Sequence, residues 1–142
     1  SSAEDEALFV KASVKHKDGN YLGAISDYLE ILTTHPVAPN THFRLARLYS
    51  LLQNKDVSLM HLALAIEQGF NDFQQLKISD DLAWLRVQPD FTILVRSGYK
   101  FTPVPPKYDD PISKLEKLGE LKAKGLLTDE EFQQQKRKLL GI

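Results

Sequence analysis

Apolar residues in this chain recur at helical spacing, and the pattern then repeats. Ile25, Tyr28, Leu29 and Leu32 step by three, one and three, which gathers them on one helical face. Leu59, Leu62, Ala63 and Ile66 reproduce those steps 34 residues later, and Leu45, Leu48, Tyr49 and Leu52 show them on the preceding segment. Phe9 maps to Phe43, Ala12 to Ala46 and Val14 to Leu48 at the same offset. A fixed period of this length marks a chain built from stacked supersecondary units.

The breaks are periodic too. Asp18-Gly19-Asn20 closes the first segment and Gln53-Asn54-Lys55 closes its counterpart. Gly and Asn tolerate the left-handed geometry that ends a helix. His35-Pro36 ends the second segment, because the residue before proline avoids helical angles. Asn40-Thr41 offers a cap for the third. The spacing predicts helices at roughly 4–18, 21–34, 41–53 and 56–68. Asn71 and Ser79 are further cap candidates, and Pro89 suits a first helical position. Short helices near 72–77, 80–86 and 90–97 are expected to bury Leu76, Leu82, Trp84, Leu85, Phe91 and Leu94.

Residues 99–111 hold four of the seven prolines and read as a stiff, extended linker. This stretch is either free or packs Tyr99, Phe101 and Tyr108 along the helices before it. Beyond it, Ile112, Leu115, Leu118 and Leu121 form one stripe, and Gly125 stops that helix. Thr128 through Glu131 is a capping box that opens a second helix carrying Phe132, Leu139 and Leu140. Lys136, Arg137 and Lys138 near its end complement the helix dipole. The expected organisation is all-α: a repeat domain at 1–98, a proline-rich linker at 99–111 and a helical hairpin at 112–142.

Charge and composition narrow the function classes. Eighteen basic and 19 acidic residues leave a net charge of −1, which gives no electrostatic reason to expect nucleic acid as partner. Without cysteine there is no disulfide and no thiolate ligand or nucleophile. No apolar run approaches the ~20 residues of a transmembrane helix. The chain starts Ser1-Ser2-Ala3 rather than with Met, which leans the expectation to an exported, periplasmic protein over a cytoplasmic one. A recombinant start is the alternative.

The first unit resembles the tetratricopeptide repeat: Ala12 at a small position, Gly19-Asn20-Tyr21 at the turn, then Ala24-Ile25, Tyr28 and Pro36. The second keeps Leu45-Ala46, Tyr49, Leu62 and Ala65 but has Ser58 for an Ala and Gly69-Phe70 for the closing Pro. The resemblance covers about residues 5–97 and implies a TPR-like superhelix of two helix pairs plus closing helices. The run from Ile112 through Leu121-Lys122, Gly125-Leu126-Leu127-Thr128, Glu130-Glu131-Phe132, Lys136 and Leu139-Leu140 is similar to the SHOCT domain, a short C-terminal domain of many bacterial proteins. That resemblance implies assembly or oligomerisation, and no chemistry.

By the repeat resemblance, a partner-binding groove would be lined by Phe9, Ser13, His16, Phe43, Arg44 and Arg47. The phenylalanines would form its apolar wall, and the arginines, one turn apart, would take a carboxylate. The competing reading packs both phenylalanines helix against helix. The family's carboxylate clamp needs a Lys and an Asn where Phe9 and Ser13 stand, so that activity is not implied. His16, His35, His42 and His61 show no short ligand spacing, and no metal or other cofactor is expected. Asp80-Asp81 and Asp109-Asp110 read as helix starts.

The hairpin at 112–142 is too small to bury enough surface alone. Its stripe, Ile112, Leu115, Leu118, Leu121, Leu127, Phe132, Leu139 and Leu140, must dock somewhere. The prolines favour docking on another chain, including a second copy. The expected function is a bacterial protein–protein interaction scaffold or adaptor, not an enzyme, binding a protein or peptide partner. The alternative is a structural subunit of an envelope complex whose groove is covered by its own linker.

Overall fold

The structure, a computed structural model, describes residues 2–101 and 111–142. Among the described residues every regular element is helical: α1 (Ser2–Lys17), α2 (Tyr21–Thr34), α3 (Pro39–Leu51), α4 (Lys55–Glu67), α5 (Phe73–Ile78), a 3₁₀ turn (Asp80–Leu82), α6 (Ala83–Arg86), α7 (Pro89–Arg96), α8 (Pro111–Ala123) and α9 (Asp129–Leu140). Lys17 and Leu51 end their helices 34 residues apart, and Tyr21 and Lys55 begin theirs at the same interval. Linker residues 102–110, including Tyr108 and Asp109-Asp110, lie outside the described residues.

The local rules read from the sequence hold at most boundaries. Gly19 (φ 83°) and Gly125 (φ 74°) close helices in the left-handed region. Gln53 (φ 56°) does the same work after α3 without being glycine. Two caps fall elsewhere than expected. Helix α3 starts at Pro39 with Ala38 as its cap residue, so Asn40 and Thr41 already lie inside it. Pro39 supplies the first-turn geometry that a side-chain cap would otherwise support. Asp72, not Asn71, caps α5, its carboxylate accepting from Gln75 N at 3.3 Å.

The chain forms two compact units. The first holds the described parts of Ser1–Pro36 and Lys107–Ile142, the second the described parts of Val37–Pro106. In the first unit, α1 packs on α2 through fully buried Ala12 and through the Phe9 ring, set edge-on to Tyr28 at 5.4 Å. Helix α8 packs along α2, with buried Gly119 facing Leu29; a methyl group added at Gly119 would meet Leu29 Cβ at an ordinary contact distance of 3.7 Å. Helix α9 folds back on α8 and also reaches α2.

This differs from the expectation that the hairpin docks on another chain, away from the repeats. Leu115 and Phe132, its two most buried apolar residues, are each 1% exposed within the chain's own first unit. The physical reason is the one that made docking necessary. A small hairpin must cover its stripe, and α2 is apolar on more than the face it turns to α1.

The second unit is built on the α3–α4 pair. Its core gathers Phe43, Ala46, Leu59, Leu62 and Ala65 with Leu76, Leu82, Leu85 and Leu94 from the short helices that follow. Arg86 ties these closing turns together, donating to the carbonyls of Leu76 (3.1 Å) and Ser79 (2.7 Å). Ser58, at a position where the repeat pattern expects Ala, donates to the Ala46 carbonyl at 2.7 Å, so its buried hydroxyl is satisfied.

Candidate functional site

The six groove residues inferred from the sequence fall three to each unit: Phe9, Ser13 and His16 on α1, and Phe43, Arg44 and Arg47 on α3. Phe9 is half-buried against Tyr28. Phe43 is buried and stacks on Phe70 at 4.1 Å. His16 stands edge-on to Tyr21 at 6.0 Å. Arg47 holds an internal carboxylate, donating through Nε (3.1 Å) and Nη2 (2.8 Å) to one oxygen of Asp81. That ion pair anchors the 3₁₀ turn to α3. Ser13 and Arg44 are half-buried.

The hairpin is held by more than its two buried side chains. Glu30 of α2 takes a hydrogen bond from Gln133 Nε2 on one carboxylate oxygen (2.9 Å) and Lys136 Nζ on the other (3.2 Å). Lys122 of α8 reaches Asp129 at 2.6 Å while its ammonium stands 4.9 Å from the Phe132 ring centre, and Lys136 approaches the same ring to 5.8 Å. Thr128 and Glu131 close the capping box: Thr128 N donates to Glu131 Oε1 at 3.0 Å, and Glu131 N donates to Thr128 Oγ1 at 3.1 Å. The hydrogen bond from Lys122 holds the Asp129 carboxyl below the ordinary aspartate range. The backbone bond from Thr128, reinforced by its hydroxyl, does the same for Glu131.

The remaining stripe residues, Ile112, Leu118, Leu121, Leu127, Leu139 and Leu140, are only half-buried, and Leu126 at the hairpin's turn is 67% exposed. The stripe is thus mostly covered within the first unit, and the exposed large apolar side chains of the hairpin among the described residues are Leu126 at its turn and Ile142 at its end.

Two features were not anticipated from the sequence. His42 and His61, 19 residues apart, are buried with their Nδ1 atoms 2.9 Å from each other, and Tyr49 stacks on His61 at 5.6 Å. Spacing along one helix could not reveal them, because the pair forms between α3 and α4; the signal was a histidine on the inner face of each. The second feature is a cavity of about 540 Å³ bordered by Met60, Ala63, Leu64 and Glu67 of α4 and by Tyr99 and Phe101. Burial there raises the Tyr99 hydroxyl pKa. Among the described residues no group of three or more His, Cys, Asp or Glu is placed to hold a metal ion. No helix among them is long and apolar enough to cross a membrane.

Residues 113–140 match the SHOCT family, described as a short C-terminal domain. The match spans α9 and all but the first two residues of α8. No curated protein and no solved structure matches the chain.

Proposed function

We propose that this chain is a non-catalytic protein–protein interaction scaffold, with TPR-like helix pairs presenting a partner surface and the C-terminal hairpin mediating assembly. The observation that carries the reading is the exposed Leu126 at the hairpin's turn, beside the partly covered Leu127 and Leu121. An apolar side chain left exposed next to a partly covered stripe supports a contact with another protein. The TPR-like reading draws on the 34-residue recurrence of helix ends and on the paired helices of α1–α2 and α3–α4. Each pair presents only a short surface, so affinity for any single peptide should be weak.

The test is affinity capture from a bacterial extract, with the intact chain beside a Leu126→Asp variant. Leu126 is exposed, so its substitution leaves the hairpin folded. The expected result is a protein held by the intact chain and lost from the variant. Equal retention by both, or none above bare matrix, would overturn the hairpin's role.

A second reading makes the chain a structural subunit whose groove is filled by its own linker. Tyr99 and Phe101, the first linker residues, are partly buried against the second unit's core beside α4, which supports a linker that starts out packed on its own chain. The residues that decide between the two, Phe101 to Tyr108, fall almost wholly outside the described part of the chain.

A further inference from the structure

Helix α1 carries two apolar faces, and only one of them is used. Leu8, Phe9 and Ala12 turn toward α2. At about 100° per residue, Ala3, Ala7, Val10 and Val14 fall on the opposite side of the helix. All four are exposed, Val10 at 61% and Val14 at 52%. Among the described residues, Val10 and Val14 are left uncovered by the packing of the first unit.

Their order is informative. The steps are four, three and four, the alternation that keeps a seam facing a partner helix in a two-stranded coiled coil. Ala7 and Val14 take one core register of that seam, and Ala3 and Val10 take the other. Glu6 precedes Ala7 on one shoulder, and Lys11 follows Val10 on the other. In a parallel pair, each such shoulder residue meets the one five positions on in its partner. Glu6 of each copy therefore faces Lys11 of the other, twice over. Lys17, the next core position three residues after Val14, is the last residue of α1 and ends the seam there. Both Glu6 and Lys11 are exposed.

We propose that α1 is a self-association face: two copies of this chain pair in parallel along Ala3, Ala7, Val10 and Val14, with Glu6 and Lys11 setting register and direction. The occupant is a second copy because the face is complementary to itself in charge, and a two-fold contact requires the same patch on both partners. The two alanines let the helices approach closely but contribute little buried area, so the dimer is weak and concentration-dependent. This inference is independent of the hairpin's role.

The absence of cysteine from the chain makes the test direct. A parallel seam brings position 10 of one copy against position 10 of the other, within disulfide reach. Val10→Cys should therefore oxidise to a covalent dimer at least about ten-fold faster than Val87→Cys, a control that is 76% exposed in the second unit. Sedimentation equilibrium from about 10 µM to about 1 mM should show the mass of the unmodified chain rising with concentration. Lys11→Glu should abolish that rise, and the Glu6→Lys/Lys11→Glu double variant should restore it. Val87→Asp, an exposed change in the second unit, should leave it unchanged. Equal oxidation rates at the two positions, a constant monomer mass, or failure of the charge swap to rescue would each overturn the proposal.

Discussion

Glu30 and Lys136 meet at 3.2 Å across 106 residues of sequence. The contact joins the first helix pair to the last helix, and Gln133 adds a second hydrogen bond on the same carboxylate. Both side chains are largely covered, at 12% exposure for Lys136 and 27% for Glu30, so the pair is worth more than a surface ion pair. Single Glu30→Ala and Lys136→Ala substitutions should each cost about 1 kcal/mol. A double-mutant cycle in urea should return a coupling of about 0.5–1.5 kcal/mol. A coupling of zero would remove this pair from the account of how the hairpin is held.

Phe132 is the hairpin's principal anchor, 1% exposed and approached by Lys122 and Lys136. Phe132→Ala should cost about 3–5 kcal/mol, the usual range for deleting a buried aromatic ring. The loss should be local. Amide exchange should show α8 and α9 deprotected while α3 and α4 keep their protection. Uniform loss across the chain would show that the two units unfold as one.

The capping box gives a smaller effect and a pH signature. Thr128→Ala should cost about 1 kcal/mol, read as a lower melting temperature. Asp129 and Glu131 both have lowered pKa values in the folded chain. Groups lowered on folding contribute stability that is complete above their unfolded values, near about pH 4 to 4.5, and lost as pH falls through the folded ones. Both carboxyls are at the surface, so the step should be shallow and reduced by salt. Thermal melts of the intact chain and Thr128→Ala should converge in acid; a gap that widens there would contradict this assignment.

The His42–His61 contact predicts a specific non-additivity. With the two Nδ1 atoms 2.9 Å apart, one ring donates and the other accepts. Replacing His61 by Phe leaves the buried partner nitrogen short of a bond and should cost about 1–3 kcal/mol. Replacing both with apolar residues should cost less than the sum of the single changes. Strict additivity in denaturant titrations would mean that the contact carries no net energy.

The helices were legible because local rules decide them. The 34-residue pattern, the glycine stops and the Thr128 box are all read within a few residues. The α8 stripe likewise announced that the hairpin must dock. Its destination was not legible, since Glu30 and the outer face of α2 are ordinary sequence until α8 lies along them. The same holds for Arg47. Its spacing from Arg44 suggested a carboxylate from a partner, but the fold brings Asp81 to it. The two apolar faces of α1 blur each other's periodicity in the sequence, and only burial separates them.

The most direct test of the interaction reading is site-specific photocrosslinking in bacterial cells, with a photoreactive residue at position 126 and, as control, at position 87. Both positions are exposed, at 67% and 76%. The account predicts a discrete adduct to another polypeptide from position 126 and none from position 87. The same yield of adducts from both positions, or none from either, would contradict it.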